Sequence, residues 1–157
     1  MEKSWEGIVK HLKTSKLPLS PKRGFLRNIA LYLPAIVIAS LVGTYLDLIF
    51  VGKNLYAFPI RPFPDVFSIN IAFTLLILPI STWIFLLIAA KMPRWSRLVF
   101  ILLLSILASV VEKVSVQWGF FRHTAQWDHS YSFVGYFVFL VLIWKIFKWG
   151  KRQGKIR

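Results

Sequence analysis

Four long apolar runs constrain this chain more than any motif in it, because a helix needs roughly 20 apolar residues to cross a hydrocarbon core about 30 Å thick. The runs are Ile29 to Val51, Val66 to Ala90, Trp95 to Val116 and Tyr131 to Trp149. Backbone polar groups in lipid have no water to bond, so each run must close its own hydrogen bonds as a helix. The expected fold is all-α, a four-helix transmembrane bundle over residues 29–149. A basic segment over 1–28 precedes it and a basic tail over 150–157 follows. With 157 residues there is room for one domain, and 57% of them are apolar, well beyond ordinary soluble composition. Pro34 and Asp47 interrupt the first run, and Pro79 should kink the second.

Charge sets the orientation, since cytoplasmic segments carry the excess of Lys and Arg. Sixteen of the 20 basic residues fall before the first run, around the turn from the second run into the start of the third, or at the end of the fourth and beyond it. The other four are Lys53, Arg61, Lys113 and Arg122. Both termini are therefore expected in the cytoplasm, in a multi-pass protein of the cell membrane. Tyr32, Trp95 and Trp149 fall at the inner interface, and Tyr45, Tyr56, Trp118, Trp127 and Tyr131 at the outer one, where amphipathic rings prefer to sit. The first apolar run is too long for a signal core and no small-residue cleavage site follows it, so a retained segment is expected.

In the basic segment, Trp5, Ile8, Val9 and Leu12 recur at helical spacing, with Lys3, Lys10 and Lys13 on other faces. This is either an amphipathic helix in the headgroup layer or a disordered basic tail. In either form the inner face is suited to anionic lipid headgroups. A net charge of +14 spread over tails and short loops does not form the single basic face that nucleic acid requires. The loop from Gly52 to Asp65 holds Pro59, Pro62 and Pro64 and should be extended.

Chemistry is bounded mainly by what is missing. There is no cysteine, which removes disulfides, iron–sulfur clusters and thiol nucleophiles. No HExxH, P-loop, GxGxxG or GxSxG pattern occurs, so no enzyme class and no cofactor is indicated. Ser130 and Ser132 beside His129 have the residue types of a nucleophile and base, but nothing supplies an oxyanion hole. Asp65, His123, Asp128 and His129 in the outer loops form a candidate cation site, because imidazole and carboxylate suit zinc. Their spacing matches no established ligand pattern.

The acidic residues within the runs carry more information. Ala35, Ala39, Gly43 and Asp47 recur every four residues and form one stripe on the first helix; Ser105, Ser109 and Glu112, spaced by four and then three, form another on the third. Small residues on one face let another helix approach, so both carboxylates should face protein. At 1.5 Å per residue, Asp47, Asn70 and Glu112 each lie about 6 Å inside the outer boundary. With Tyr136 and with Lys113 as counter-ion, they are expected to form a buried intramembrane polar cluster. Such a group is a functional candidate by default, through proton or cation handling, but it can equally fasten helices together.

Several elements resemble those of a family of small, uncharacterised multi-pass membrane proteins of spore-forming Gram-positive bacteria. They are Asp47 closing the first run, Tyr56 with Phe58-Pro59, Pro79, Glu112, and Trp127 with Ser130. The resemblance implies a membrane fold and brings no activity with it. The expected role is non-enzymatic, structural or accessory, through contacts with a membrane partner or a second copy of the chain. The alternative is a small proton or cation transporter or channel using Asp47 and Glu112.

Overall fold

In a computed structural model of the chain, residues 21–124, 127 and 129–153 are described, residues 21–28 and 129 by their backbone alone. Two compact units divide the chain, Met1–Ala30 and Leu31–Arg157. The described part of the first is the opening of helix α1, which runs Pro21–Gly52. The helix therefore starts well before Ile29. Proline suits a first helical turn, where its missing N–H has no partner to lose, and the apolar boundary at Ile29 marks hydrophobicity rather than backbone conformation. The amphipathic or disordered segment expected over 1–17 lies outside the described residues.

The second unit continues α1 and adds β1 (Tyr56–Ala57), a π-helical turn (Phe73–Ile77), α2 (Leu78–Ala89), α3 (Arg94–Gln117), β2 (Arg122–His123) and α4 (His129–Gln153). Among the described residues the chain is all-α apart from one antiparallel pairing of β1 with β2. Expected and observed limits of α3 differ by one residue at each end. α4 runs four residues past Trp149, because Lys151 and Arg152 in its last turn favour the negative end of the helix dipole.

The second run departs most from expectation. Residues 66–70 are not helical, and the helix begins at Ile71. Arg61 holds the preceding loop in a turn instead of an extended strand, donating from Nε to the Phe67 carbonyl at 2.6 Å, from Nη1 to Phe58 at 2.7 Å and from Nη2 to Pro64 at 3.1 Å. Phe63 accordingly takes a left-handed conformation, φ 52°.

Pro79 acts through the π-turn rather than through a simple kink. A proline ring clashes with the carbonyl four residues back and offers no N–H. Just before it the backbone widens, and the Leu78 amide bonds the Phe73 carbonyl five residues back. In that register the next carbonyl, Thr74, faces the Pro79 nitrogen and has no donor. Ser40 of α1 donates to the Thr74 carbonyl at 2.6 Å. α1 can come this close because a Cβ at Gly43 would collide with the Leu78 side chain.

All four helices meet in one apolar core. Ala35 and Ala39 come from α1, Phe85, Leu86 and Ala89 from α2, Ile101 from α3, and Ile143 and Phe147 from α4. The small-residue stripe of α1 thus faces protein, as its spacing predicts. Outside this core most large apolar side chains of the helices are exposed. Three segments, Ile29–Gly52, Arg94–Gln117 and Ser130–Gln153, are long and apolar enough to cross a membrane, and Phe73–Ala89 is a shorter apolar helix.

Ser40→Ala should lower stability by about 1 kcal/mol, the net worth of one hydrogen bond. In a Pro79→Ala background, where residue 79 regains an N–H, the same change should cost clearly less. Thermal unfolding in detergent of the two single variants and the double variant measures this coupling. Equal costs in both backgrounds would contradict the account.

Candidate functional site

At the end where α1 and α3 finish and α4 begins, two carboxylates are surrounded by aromatic and hydroxyl groups. Glu112 is on the last turns of α3 and is buried, 8% exposed. It is reached along the stripe that begins with Ser105, which is fully buried and donates to the Ile101 carbonyl at 2.8 Å. Glu112 gathers three partners. Oε1 accepts from the Ser132 hydroxyl at 2.6 Å and lies 2.9 Å from His123 Nε2, while Oε2 accepts from the Tyr136 hydroxyl at 2.6 Å. Ser132 and Tyr136 stand four apart on one face of α4, which is why one carboxylate can take both.

Ser132 is itself oriented from the other side, since the Trp127 indole Nε1 donates to its oxygen at 3.0 Å. The order Trp127 to Ser132 to Glu112 leaves the Ser132 hydrogen only one direction, toward the carboxylate. His123 comes from the loop, and the β1–β2 register places it directly opposite Tyr56. Directly opposed residues of an antiparallel pair share a face, so His123 and Tyr56 descend together onto the helix ends. The Thr124 amide and hydroxyl both bond the Leu55 carbonyl, at 3.1 and 3.0 Å, and extend that pairing.

Tyr56 donates to Asp47 Oδ1 at 2.5 Å. Its ring is buried among Phe50, Phe58, Phe121 and Trp127 with centroid separations of 4.8 to 5.7 Å. Burial, and then the adjoining Asp47 carboxylate, push the Tyr56 phenol well above the usual range, so it remains a neutral donor. Tyr56 is also within electrostatic reach of Glu112 and Tyr136, which joins the two carboxylates into one cluster. Asp47 Oδ2 is buried and accepts no hydrogen bond among the described residues.

Of the residues expected in the cluster, Asp47, Glu112 and Tyr136 lie around Tyr56 in this cluster, whereas Asn70 and Lys113 are placed differently. Asn70 is not part of it. Because the helix starts at Ile71, Asn70 precedes it and caps it: Phe73 N donates to Asn70 Oδ1 at 3.2 Å as well as to the Asn70 carbonyl at 3.1 Å. Lys113 is exposed and is not the counter-ion. Neighbouring helical residues point about 100° apart, so Lys113 is turned away when Glu112 is turned in. It borders a separate shallow cleft with Ser109, Ser130 and Phe133.

Of the candidate cation site, only Asp65 and His123 have described side chains. Asp65 is exposed, His123 is engaged with Glu112, and Asp128 and the His129 side chain lie outside the described residues. Among the described residues no group of three or more His, Asp or Glu side chains could hold a metal ion. Tyr56, Ser132 and Trp127 were not legible as members of the site. Their only signal is placement: Ser132 is one helical turn from Tyr136, and Tyr56 is an aromatic residue just past a span that ends in a carboxylate.

Glu112→Gln turns one acceptor into a donor facing donors, and should destabilise the protein by about 1–3 kcal/mol. Tyr136→Phe removes one donor and leaves the rest, and should cost about 1 kcal/mol. Thermal unfolding in detergent reads both, and a Glu112→Gln melting point equal to the wild type would contradict the geometry. Comparison with protein-family models, with curated proteins and with solved structures found no match.

Proposed function

We propose that this chain is a four-span, non-enzymatic protein of the cell membrane that works through its helix surfaces as a structural or accessory component, with the carboxylate cluster as the fastener of its outer end. The observation that carries this reading is the occupancy of Glu112. Its two oxygens are taken by Ser132, His123 and Tyr136, from three different positions in the chain. A carboxylate so fully engaged suits holding parts together better than loading and releasing a cation or activating a nucleophile.

Four spans rather than three are supported by length and charge. Phe73–Ala89 rises about 26 Å, enough for a slightly thinned or tilted crossing. An even count puts both ends on one side, and the Lys and Arg distribution favours the cytoplasm. A bacterial envelope is the setting that the family resemblance implies. The exposed apolar helix faces suit lipid and leave room for a second copy or a membrane partner.

One observation favours a second reading, proton handling by Asp47. Its Oδ2 is buried without a partner among the described residues, beside the Tyr56 hydroxyl on Oδ1, an arrangement that can bind a proton. The two readings separate in sealed vesicles carrying the purified protein and a pH-sensitive dye. The fastener reading predicts that an imposed pH gradient decays at the rate of empty vesicles, in the wild type and in Asp47→Asn alike. Decay accelerated by the protein and abolished by Asp47→Asn would replace it with the second reading.

A further inference from the structure

The opposite end of the second unit, where α2 turns into α3 and α4 finishes, holds a cleft of about 320 Å³ lined by Arg97, Trp144, Phe147, Lys148, Lys151 and Arg152. Its cationic wall comes from two helices. Arg97, half-buried on the first turn of α3, is fixed in place: Nε donates to the Ala89 carbonyl at 2.9 Å and Nη2 to the Met92 carbonyl, closing the free end of α2. Its guanidinium carbon lies over Trp144, 4.0 Å from the ring centroid. Nη1 is left without an acceptor among the described residues. Lys148, Lys151 and Arg152 are exposed on the last turns of α4.

No carboxylate among the described residues balances these four charges. Asp47, Asp65 and Glu112 belong to the other end, and Glu112 is about 22 Å from Arg97 along α3. The floor is different in kind, built from the Trp144 and Phe147 rings. A preorganised guanidinium with a free donor, three exposed cations and an aromatic floor match a phosphodiester attached to an apolar tail.

We propose that this cleft is a binding site for the headgroup of an anionic phospholipid of the cytoplasmic leaflet, with the phosphate on Arg97 and the α4 cations and the acyl chains running along the exposed faces of α3 and α4. The site is separate from the carboxylate cluster and rests on the proposed membrane reading, with this end of the helices at the cytoplasmic face. Basic clefts between helices at this depth are suited to such headgroups, and each well-placed cation adds attraction near an anionic surface.

The test uses the full chain, purified in neutral detergent, with native mass spectrometry counting retained lipid. Dioleoyl phosphatidylglycerol should be retained at least about tenfold more tightly than dioleoyl phosphatidylcholine. A variant with Lys148→Gln, Lys151→Gln and Arg152→Gln should lose most of that preference, while Lys53→Gln, Lys113→Gln and Arg122→Gln, which removes as much charge from exposed positions at the opposite end, should keep it. Arg97 is left intact in both because it closes α2. Glycerophosphate should fail to displace the lipid, whereas displacement at equal concentration would mean a site for free phosphate and overturn the proposal. Equal retention of the two lipids, or equal loss in the two triple variants, would overturn it as well. Incorporation of the same protein into phosphatidylcholine nanodiscs reports separately on the membrane reading, so a failure of that reading is not mistaken for a failure of this one.

Discussion

The arrangement of this end of the protein depends on a single carboxylate that must be buried. Glu112 is one turn from the end of a helix whose other faces are apolar, and an isolated carboxylate in such surroundings is costly unless donors meet it. Ser132, Tyr136 and His123 do so, and each brings something with it. The first two fix the height and rotation of α4 against α3. The third fixes a loop, and through the Tyr56–His123 register it fixes a second loop from the far side of α1. Tyr56 in turn holds Asp47, so the anchoring extends across α1, α3 and α4 with few side chains.

A comparable logic operates where the backbone itself is deficient. Pro79 removes a donor, the π-turn absorbs the ring, and Ser40 supplies the missing hydrogen bond to Thr74 from a neighbouring helix. At the end of α2 Arg97 adds a second donor to the Ala89 carbonyl, which the Met92 amide also reaches at 3.3 Å. In an apolar environment these orphaned groups have no water to turn to, so hydroxyl and guanidinium side chains on adjacent helices stand in for it. Polar residues placed for this purpose also specify how the helices pack.

Much of this was legible in the sequence because hydropathy and small-residue spacing are strong signals in lipid. α3 was readable almost to the residue, and the four-residue repeat from Ala35 to Asp47 announced a protein-facing stripe. Depth counting brought Asp47 and Glu112 to one level. It failed for Asn70, since an apolar run from Val66 does not reveal that its first residues form a loop held by Arg61. Lys113 was misplaced because adjacency in sequence is not adjacency around a helix. Tyr56 and His123 could not be paired from sequence at all. They are brought together by a two-residue strand pairing between distant loops, too short for any periodic pattern.

The central claim is that Glu112 fastens the loops to the helices. Amide hydrogen exchange in detergent, followed by mass spectrometry in the wild type and in Glu112→Gln, tests it most directly. Exchange in segments 55–58 and 120–124 should accelerate in the variant, by roughly tenfold or more for a loss above 1.4 kcal/mol, while the amides of α3 before Ser105 keep their protection. Unchanged exchange in both loops would contradict the claim.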